Sequence, residues 1–565
     1  MTRFLYQAQG DPATVGVNKD TERLFAYHQA TKHTYDSVRA NAHFLDWRNQ
    51  PNPFRTYEGA PLIALPAAPS LPEIGAFAAM AALGGELTEN NGGTPDSREE
   101  IRFDAAWLSR LLWHSMAVSA WKKVPRTEDR YSLRVNPSSG NLHPTETYLA
   151  IRDFSGLDDG LYHYRADRHA LELRRGGNCV GEIARALDAP WAAESRLIVA
   201  LTSIFWREAW KYRDRAYRYS CHDLGHAMIG LLVAARALGV SGSVAAHFSD
   251  LRLARTLGLR QDSDEAPMAF LIFPPPRNTQ VKRVASNPLH DAAGIPNELS
   301  AEEVSYELLL GMHRSTMLLD PPGPLPRIPE SDATTALAEA ALPADAASQP
   351  PRDASLGATV RRRRSALDFD PRTDSMERAD FEQLLDFATR DWRADWRGNF
   401  GAAEEARPAS RGADFVSLYL YVHRVRNCEP GVYRWHAARR ELEQLHSGNV
   451  ERIAAFLSLE QPLAGNACFA VSMIADLARA ARVFGNRGYR YAHFEAGAIG
   501  QRLYVGAEAL GWNATGIGAF YDDDVHRYLG FLGEEATSAD ARTLPRQVIY
   551  HFAVGRAVPD PRIEA

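Results

Sequence analysis

The sequence predicts an α+β protein built from two diverged copies of one unit. Three observations carry this: a self-similar register of constant offset, a long apolar helix pattern in each copy, and short buried-strand patterns at matching places. YRYSCHDLGHAMIGLLVAARALG from Tyr217 returns as YRYAHFEAGAIGQRLYVGAEALG from Tyr489, an offset of 272. The same offset joins Arg215 to Arg487, Gly225 to Gly497, Leu231 to Leu503, Gly239 to Gly511, Phe248 to Phe520 and Asp250 to Asp522. A second echo sets GLYHYRADRHALELRRGGN from Gly160 against GVYRWHAARRELEQLHSGN from Gly431 at an offset of 271, the slip being a loop indel.

Taken in order, residues 1–100 form an N-terminal extension, 101–285 the first copy, 286–360 a linker region and 361–565 the second copy. Within the first copy, Leu224, Ala227, Met228, Leu231, Leu232, Ala235 and Leu238 recur at helical spacing and Gly239 supplies a stop, which predicts a long buried helix. RLIVALTSIF and its counterpart ACFAVSMIA read as short buried strands, as do MAFLIF and VIYHFAV near the ends of the copies. Within the linker region, PPGPLPRIPESDATTALAEAALPADAASQPPRDASLG, rich in Pro, Ala and Asp and without aromatic residues, has the composition of a mobile connection. Two such copies in one chain pack most simply about a pseudo-two-fold axis, an intramolecular pseudo-dimer whose seam draws residues from both.

Composition narrows the function. At 565 residues the chain exceeds what one core usually organises. Hydrophobic residues at 45% and charged residues at 24% are the balance of an ordinary globular protein. A net charge of −6 offers no basic field for nucleic acid. Cys179, Cys221, Cys428 and Cys468 are dispersed and form no CxxC pair, which fits a reducing compartment. No stretch approaches the roughly 20 apolar residues of a membrane span, so a cytoplasmic protein without a membrane partner is expected.

Four motifs are candidates for chemistry. In RVNPSSGNLHPTETYLAI, Pro137, Ser138, Ser139, Gly140 and Asn141 offer backbone N–H groups, hydroxyls and a carboxamide that suit the edge of a flat ligand, although the same residues are the commonest formers of a plain turn. In RRRRSALDFDPR, Arg363, Arg364 and Ser365 precede a helical segment, ERADFEQLLDFATR, where arginines beside a helix start hold a phosphate; a solvated charge run fits equally. NATGIGAFYDDD has Gly516 and Gly518, where absent side chains let backbone approach a planar ligand, and Arg556 follows the last strand as a further phosphate contact. His222 and His226 flank Asp223 one helical turn apart, a spacing that mimics a zinc-protease helix, but with Asp for Glu and no evident third ligand, so no metal is assigned. Trp206 and Trp210 suit either a substrate pocket or plain core.

KYRDRAYRYSCHDLGH, NPSSGNLHPTE and RRRRSALDFD together resemble the SagB/ThcOx-type dehydrogenases of the FMN-dependent nitroreductase superfamily. YHQATKHTYDSVR and LDWRNQPNPFRTYEGAPLIALP in the extension resemble the leader of its tandem-domain members. The resemblance implies a central mixed sheet flanked by helices in each nitroreductase-like domain, with FMN in the seam. It implies a Lys-Tyr pair for proton transfer, here Lys211 and Tyr212, replaced in the second copy by Val483 and Phe484. It also implies azoline-to-azole oxidation of a peptide or small natural product. The copies depart from symmetry: the first has PSSGN but no RRS start, while the second has RRRRS and TGIGAF but reads PASRGAD (Pro408 to Asp414) at the loop. One FMN site per chain is therefore expected, combining Pro137–Asn141 with Arg363, Arg364, Ser365, Gly516, Gly518 and Arg556. The competing readings are an NAD(P)H-dependent nitro or quinone reductase and a degenerate scaffold that binds flavin or a peptide. Further pairing of the pseudo-dimer is left open.

Overall fold

The computed structural model describes residues 17–40, 44–67, 69–84, 101–260, 265–274, 289–319, 322–326, 353–398, 400, 415–533, 540 and 542–564. Each half builds an antiparallel sheet. In the first, seven strands run in the order Leu62–Ala64, Ala170–Gly176, Gly160–Arg165, Thr145–Ile151, Leu197–Ile204, Glu265–Phe273, Ser243–Ala245. In the second, six run Glu441–Ser447, Gly431–His436, Val416–Val422, Phe469–Asp476, Arg546–Gly555, Asn513–Ile517. Leu197–Ile204 and Phe469–Asp476 are the predicted central strands, and the first is buried along its whole length because it carries apolar side chains on both faces. The expected mixed sheet is corrected in one respect: every ladder is antiparallel, and parallel pairing is confined to isolated bridges such as Ser365 to Ala514. Consecutive strands such as Gly431–His436 and Glu441–Ser447 are joined by short hairpin turns, which reverse direction at each step.

The long helices, Ala216–Ala237 and Gly488–Ala509, cross at the centre of the molecule. All 22 residues of the first are buried, as expected of a helix that is apolar on most of its circumference. Gly225 and Gly497, equivalent in the two copies, form the crossing point. A Cβ on Gly225 would lie 2.3 Å from the Phe494 carbonyl oxygen, and one on Gly497 would lie 2.1 Å from that of His222. Only glycine permits this approach.

Buried ion pairs fasten the halves around the same pseudo-two-fold. Arg215 and Arg218 of the first half reach Asp522 of the second at 3.1 and 3.0 Å. Their equivalents, Arg487 and Arg490, reach Asp250 of the first half at 2.6 and 3.2 Å.

The extension is woven into this body. Leu62–Ala64 lengthens the first sheet, Tyr57–Glu58 pairs with Ile295–Pro296, and Gly75 bridges to Ser355. The stretch read as a linker, 286–360, is thus folded at both ends: Glu307–Ser315 is a helix and Leu356–Arg362 another. Its Pro- and Ala-rich middle, 327–352, lies outside the described residues, as does the loop 408–414 of the second half. Among the described residues no helix is long and apolar enough to cross a membrane, and no cluster of His, Cys, Asp and Glu suits a metal.

Candidate active site at the seam

A cavity of about 430 Å³ opens between the halves. The first half supplies the loop from Asn136 to Asn141, with Tyr212, Tyr219, Asp223 and His226 from the helices behind it. The second half supplies Arg363, Arg364, Ser365, Tyr504, Tyr550 and the backbone from Thr515 to Ala519. The hairpin of Val118–Lys123 and Arg130–Arg134 forms a further wall. The C-terminal strand Ile563–Glu564 extends it, pairing with Lys122 and Trp121 across the seam.

Local chemistry explains these placements. The loop turns through positive φ at Gly140 (58°), Asn141 (60°) and His143 (52°). A Cβ on Gly140 would sit 2.7 Å from the Tyr212 hydroxyl and 3.2 Å from Lys211 Nζ, so glycine is required for contact as well as for φ. Across the cavity, the Ala366 N–H donates to the Ala514 carbonyl at 2.9 Å, laying the arginine run beside the glycine strand. The Tyr504 hydroxyl ties both together, bonding Ser365 Oγ at 2.8 Å and accepting from the Gly516 N–H at 2.8 Å. Gly516 and Gly518 are small because Tyr550 and Tyr219 press against them: added Cβ atoms would come within 2.0 Å of the Tyr550 hydroxyl and 2.3 Å of the Tyr219 ring.

Of the residues singled out from sequence, Pro137, Ser138, Ser139, Gly140, Asn141, Tyr212, Arg363, Arg364, Ser365, Gly516 and Gly518 line this one cavity, and Lys211 reaches its edge beside Gly140. Arg556 does not line it. Its guanidinium donates to the Gly511 carbonyl and lies 4.5 Å over the Trp512 ring. Two local readings change. Arg363–Ser365 follow the C-terminal end of helix Leu356–Arg362, and the next helix begins only at Arg378, so no helix N-terminus assists them. The loop hydroxyls are turned inward: Ser138 Oγ donates to Asp223 at 2.6 Å, and Ser139 donates through Oγ at 2.9 Å and N–H at 3.0 Å. The Asn141 carboxamide likewise donates to the Ser132 carbonyl at 2.9 Å. A buried carboxylate outcompetes a ligand edge for these donors because its two oxygens need several hydrogen bonds.

Charge at the two ends of the cavity differs. Arg363 is buried; Nη2 donates to the Arg134 and Val135 carbonyls at 3.2 and 3.1 Å, while Nε and Nη1 meet no acceptor. Burial lowers the Arg363 pKa and that of Arg364, the latter to about 10. Both still carry charge at neutral pH. At the other end, burial and then the Glu208 carboxyl raise the Tyr212 phenol well above its usual value, so it keeps its proton. His226 bonds Gln501 and Tyr550, each at 3.2 Å, and burial lowers its pKa to about 3, leaving a neutral imidazole. Trp206 and Trp210 donate to Ser300 Oγ and the Asp46 carbonyl and do not line the cavity.

Comparison with known proteins bears on this arrangement. The nitroreductase family profile matches residues 104–273 and again 360–538, together more than half of the chain. The chain belongs to the nitroreductase family. It is 32% identical over 121 residues to MJ1384 of Methanocaldococcus jannaschii, which bears a provisional nitroreductase name; the match covers 21% of this chain and 61% of that protein. It is 28% identical over 142 residues to the trifolitoxin-processing protein TfxB of Rhizobium leguminosarum bv. trifolii, over 24% of this chain and 38% of TfxB. The chain thus matches less than two thirds of either relative's length. A solved structure from Anabaena variabilis with a provisional nitroreductase name superimposes over 95% of this chain and 99% of its own, with a TM-score of 0.69 and 24% identity, which establishes the tandem fold.

In this nitroreductase-family chain the second seam is built differently. Tyr491 is the equivalent of the cavity-lining Tyr219, and the Trp396 indole stacks on it at 4.8 Å with a 6° interplanar angle. Trp396 packs edge-on against Trp392 at 5.4 Å, and both are 1% exposed. Glu495, equivalent to Asp223, accepts from Trp396 Nε1 at 3.3 Å and from the Phe415 N–H at 2.7 Å. Leu232 stands where the first seam has Tyr504, and Ala498 where it has His226. Tyr219, Tyr504 and Tyr550 were missed from sequence, and Asp223 was noted only within the His222–His226 spacing; the polarity difference between Tyr504 and Leu232 at equivalent helix positions is a signal that marks Tyr504.

Proposed function

We propose that the chain is an FMN-dependent dehydrogenase of the SagB/ThcOx type, oxidising an azoline-like ring in a peptide or small natural product. The observation that carries this is the pairing, in one cavity, of a cationic end with unsatisfied donors and a Lys-Tyr end. Arg363 Nε and Nη1, Arg364 Nε and Arg134 Nε are buried N–H groups without acceptors, and a phosphate would supply them with oxygens. A volume of about 430 Å³ falls within the range of small-molecule and cofactor sites. Arg363, Arg364 and Ser365 would hold the phosphate of FMN, and the Pro137–Asn141 loop with the Gly516–Gly518 strand would flank its ring.

When bound, FMN supplies a two-electron acceptor that passes its electrons on to an oxidant such as dioxygen. The chain's own residues do the rest. Lys211, beside Gly140, would take the proton released from one ring carbon while the adjacent ring carbon gives up a hydride, so the ring loses one proton and one hydride overall and a double bond forms between the two carbons. Tyr212, held as a phenol, donates a hydrogen bond to the substrate and orients it. The similarity to a protein named for trifolitoxin processing supports a role in processing a natural product. The domain boundaries near 101–285 and 361–565, and a cytoplasmic setting consistent with four free cysteines, belong to the same reading. The other reading, an NAD(P)H-dependent nitro or quinone reductase, is favoured by the similarity to MJ1384. Anaerobic mixing separates them. Bleaching of the flavin absorbance by an azoline-containing peptide, lost in Lys211→Ala, supports the dehydrogenase; bleaching by NAD(P)H alone supports the reductase.

A further inference from the structure

Behind the loop, Glu208 and Asp223 are both buried, at 0% and 2% exposure, on consecutive helices. Asp223 accepts the three Ser138 and Ser139 hydrogen bonds described above. Neither Glu208 oxygen meets a donor, and its nearest polar neighbours, Asp223 and Ser138, leave it one way to be satisfied. Two carboxylates cannot hydrogen-bond; a carboxylic acid and a carboxylate can. Glu208 also lies one turn before Lys211 and Tyr212 on helix Phe205–Tyr212, so the three side chains share a face.

The duplication provides an internal control. The equivalents of Glu208, Lys211 and Tyr212 are Ala480, Val483 and Phe484. All three polar groups are replaced together in the second half. A carboxyl needed only to hold the helix in place would have no reason to follow the Lys-Tyr pair.

We propose that Glu208 and Asp223 are a carboxyl pair holding one proton between them, which pins the loop at Ser138 and Ser139 and places a single negative charge beside Lys211 and Tyr212. This rests on the dehydrogenase reading for its catalytic half, not for the shared proton. With one proton the pair carries a single negative charge. As Lys211 takes a proton from substrate, that charge stabilises the ammonium formed; no bond beyond proton transfers is made or broken. The groups facing the pair are Lys211 and Tyr212 on its own helix, Tyr219 and Cys221 on the next, and Tyr550 across the cavity. Burial raises both carboxyls, Asp223 to about 7 against the pull of the serine donors, and Glu208 well above its usual value with Asp223 as its second cause, in keeping with one shared proton.

Infrared difference spectroscopy of the full chain at pH 7 reads the proton directly. A carboxylic-acid carbonyl stretch that shifts in D2O and disappears in Glu208→Gln is expected. Glu208→Gln, an isostere whose amide still donates to Asp223, should keep its flavin yet lose at least about tenfold in azoline-peptide turnover, with a displaced pH profile. Absence of the band in the unmodified chain, or a Glu208→Gln pH profile that superimposes on the parent, overturns the proposal. If the unmodified chain turns over no azoline, the dehydrogenase reading fails, and the band alone decides whether the shared proton exists.

Discussion

Arg363 and Gly140 stand at opposite ends of the cavity, and each can be tested alone. Removing the guanidinium in Arg363→Met should weaken FMN binding by about 10- to 100-fold, the worth of a charge-assisted hydrogen bond of about 1.5–3 kcal/mol, measured by flavin fluorescence titration. Gly140→Ala places a methyl group 2.7 Å from the Tyr212 hydroxyl at a φ of 58° and should depress turnover more than flavin content. Lys211→Ala should lower turnover by about 10²- to 10⁴-fold with flavin retained, in steady-state assays. Most of these residues were legible in the sequence because their types are unusual in combination: four arginines before a serine, or PSSGN before a strand. What the sequence could not reveal was the direction of each donor. The Ser138 and Ser139 hydroxyls read as ligand contacts until Asp223, 84 positions beyond Ser139, proves to accept both. Arg556 failed for a related reason: adjacency to the last strand does not fix which way a long side chain leaves it.

Elements carry the seam. The swapped pairs of Arg215 and Arg218 with Asp522, and Arg487 and Arg490 with Asp250, are buried. Breaking one by Asp522→Asn leaves two guanidinium groups short of their counter-charge and should destabilise the chain by about 3–5 kcal/mol in chemical denaturation. Burial pushes the Asp522 carboxyl up, but Arg215 and Arg218 outweigh it and hold it below the usual carboxylate range. A depressed native pKa makes this contribution complete above about pH 4 and lost as pH falls through the native value. The parent should therefore lose stability in acid more steeply than Asp522→Asn. The long helices and central strands were plain in the sequence, since apolar periodicity and continuous apolar runs follow directly from burial. The folded ends of the stretch 286–360 were not, because Ile295–Pro296 and Glu307–Ser315 are short and gain their order from partners in the distant extension and first half.

At the scale of the whole molecule, duplication has produced two seams with opposite fates. One carries a cavity lined by Arg363, Arg364 and Tyr212; at the second, Trp396 stacks on Tyr491 and packs against Trp392. The asymmetry of the motifs led to the expectation of a single site, and the tryptophans packed at the other seam drew no notice in a sequence where indoles are common core residues. Flavin released from the purified, FMN-saturated chain and quantified against protein tests the central claim most directly. One FMN per chain, falling towards zero in Arg363→Met and unchanged in Trp396→Ala, is the predicted result; two FMN per chain, or none after reconstitution, would contradict it.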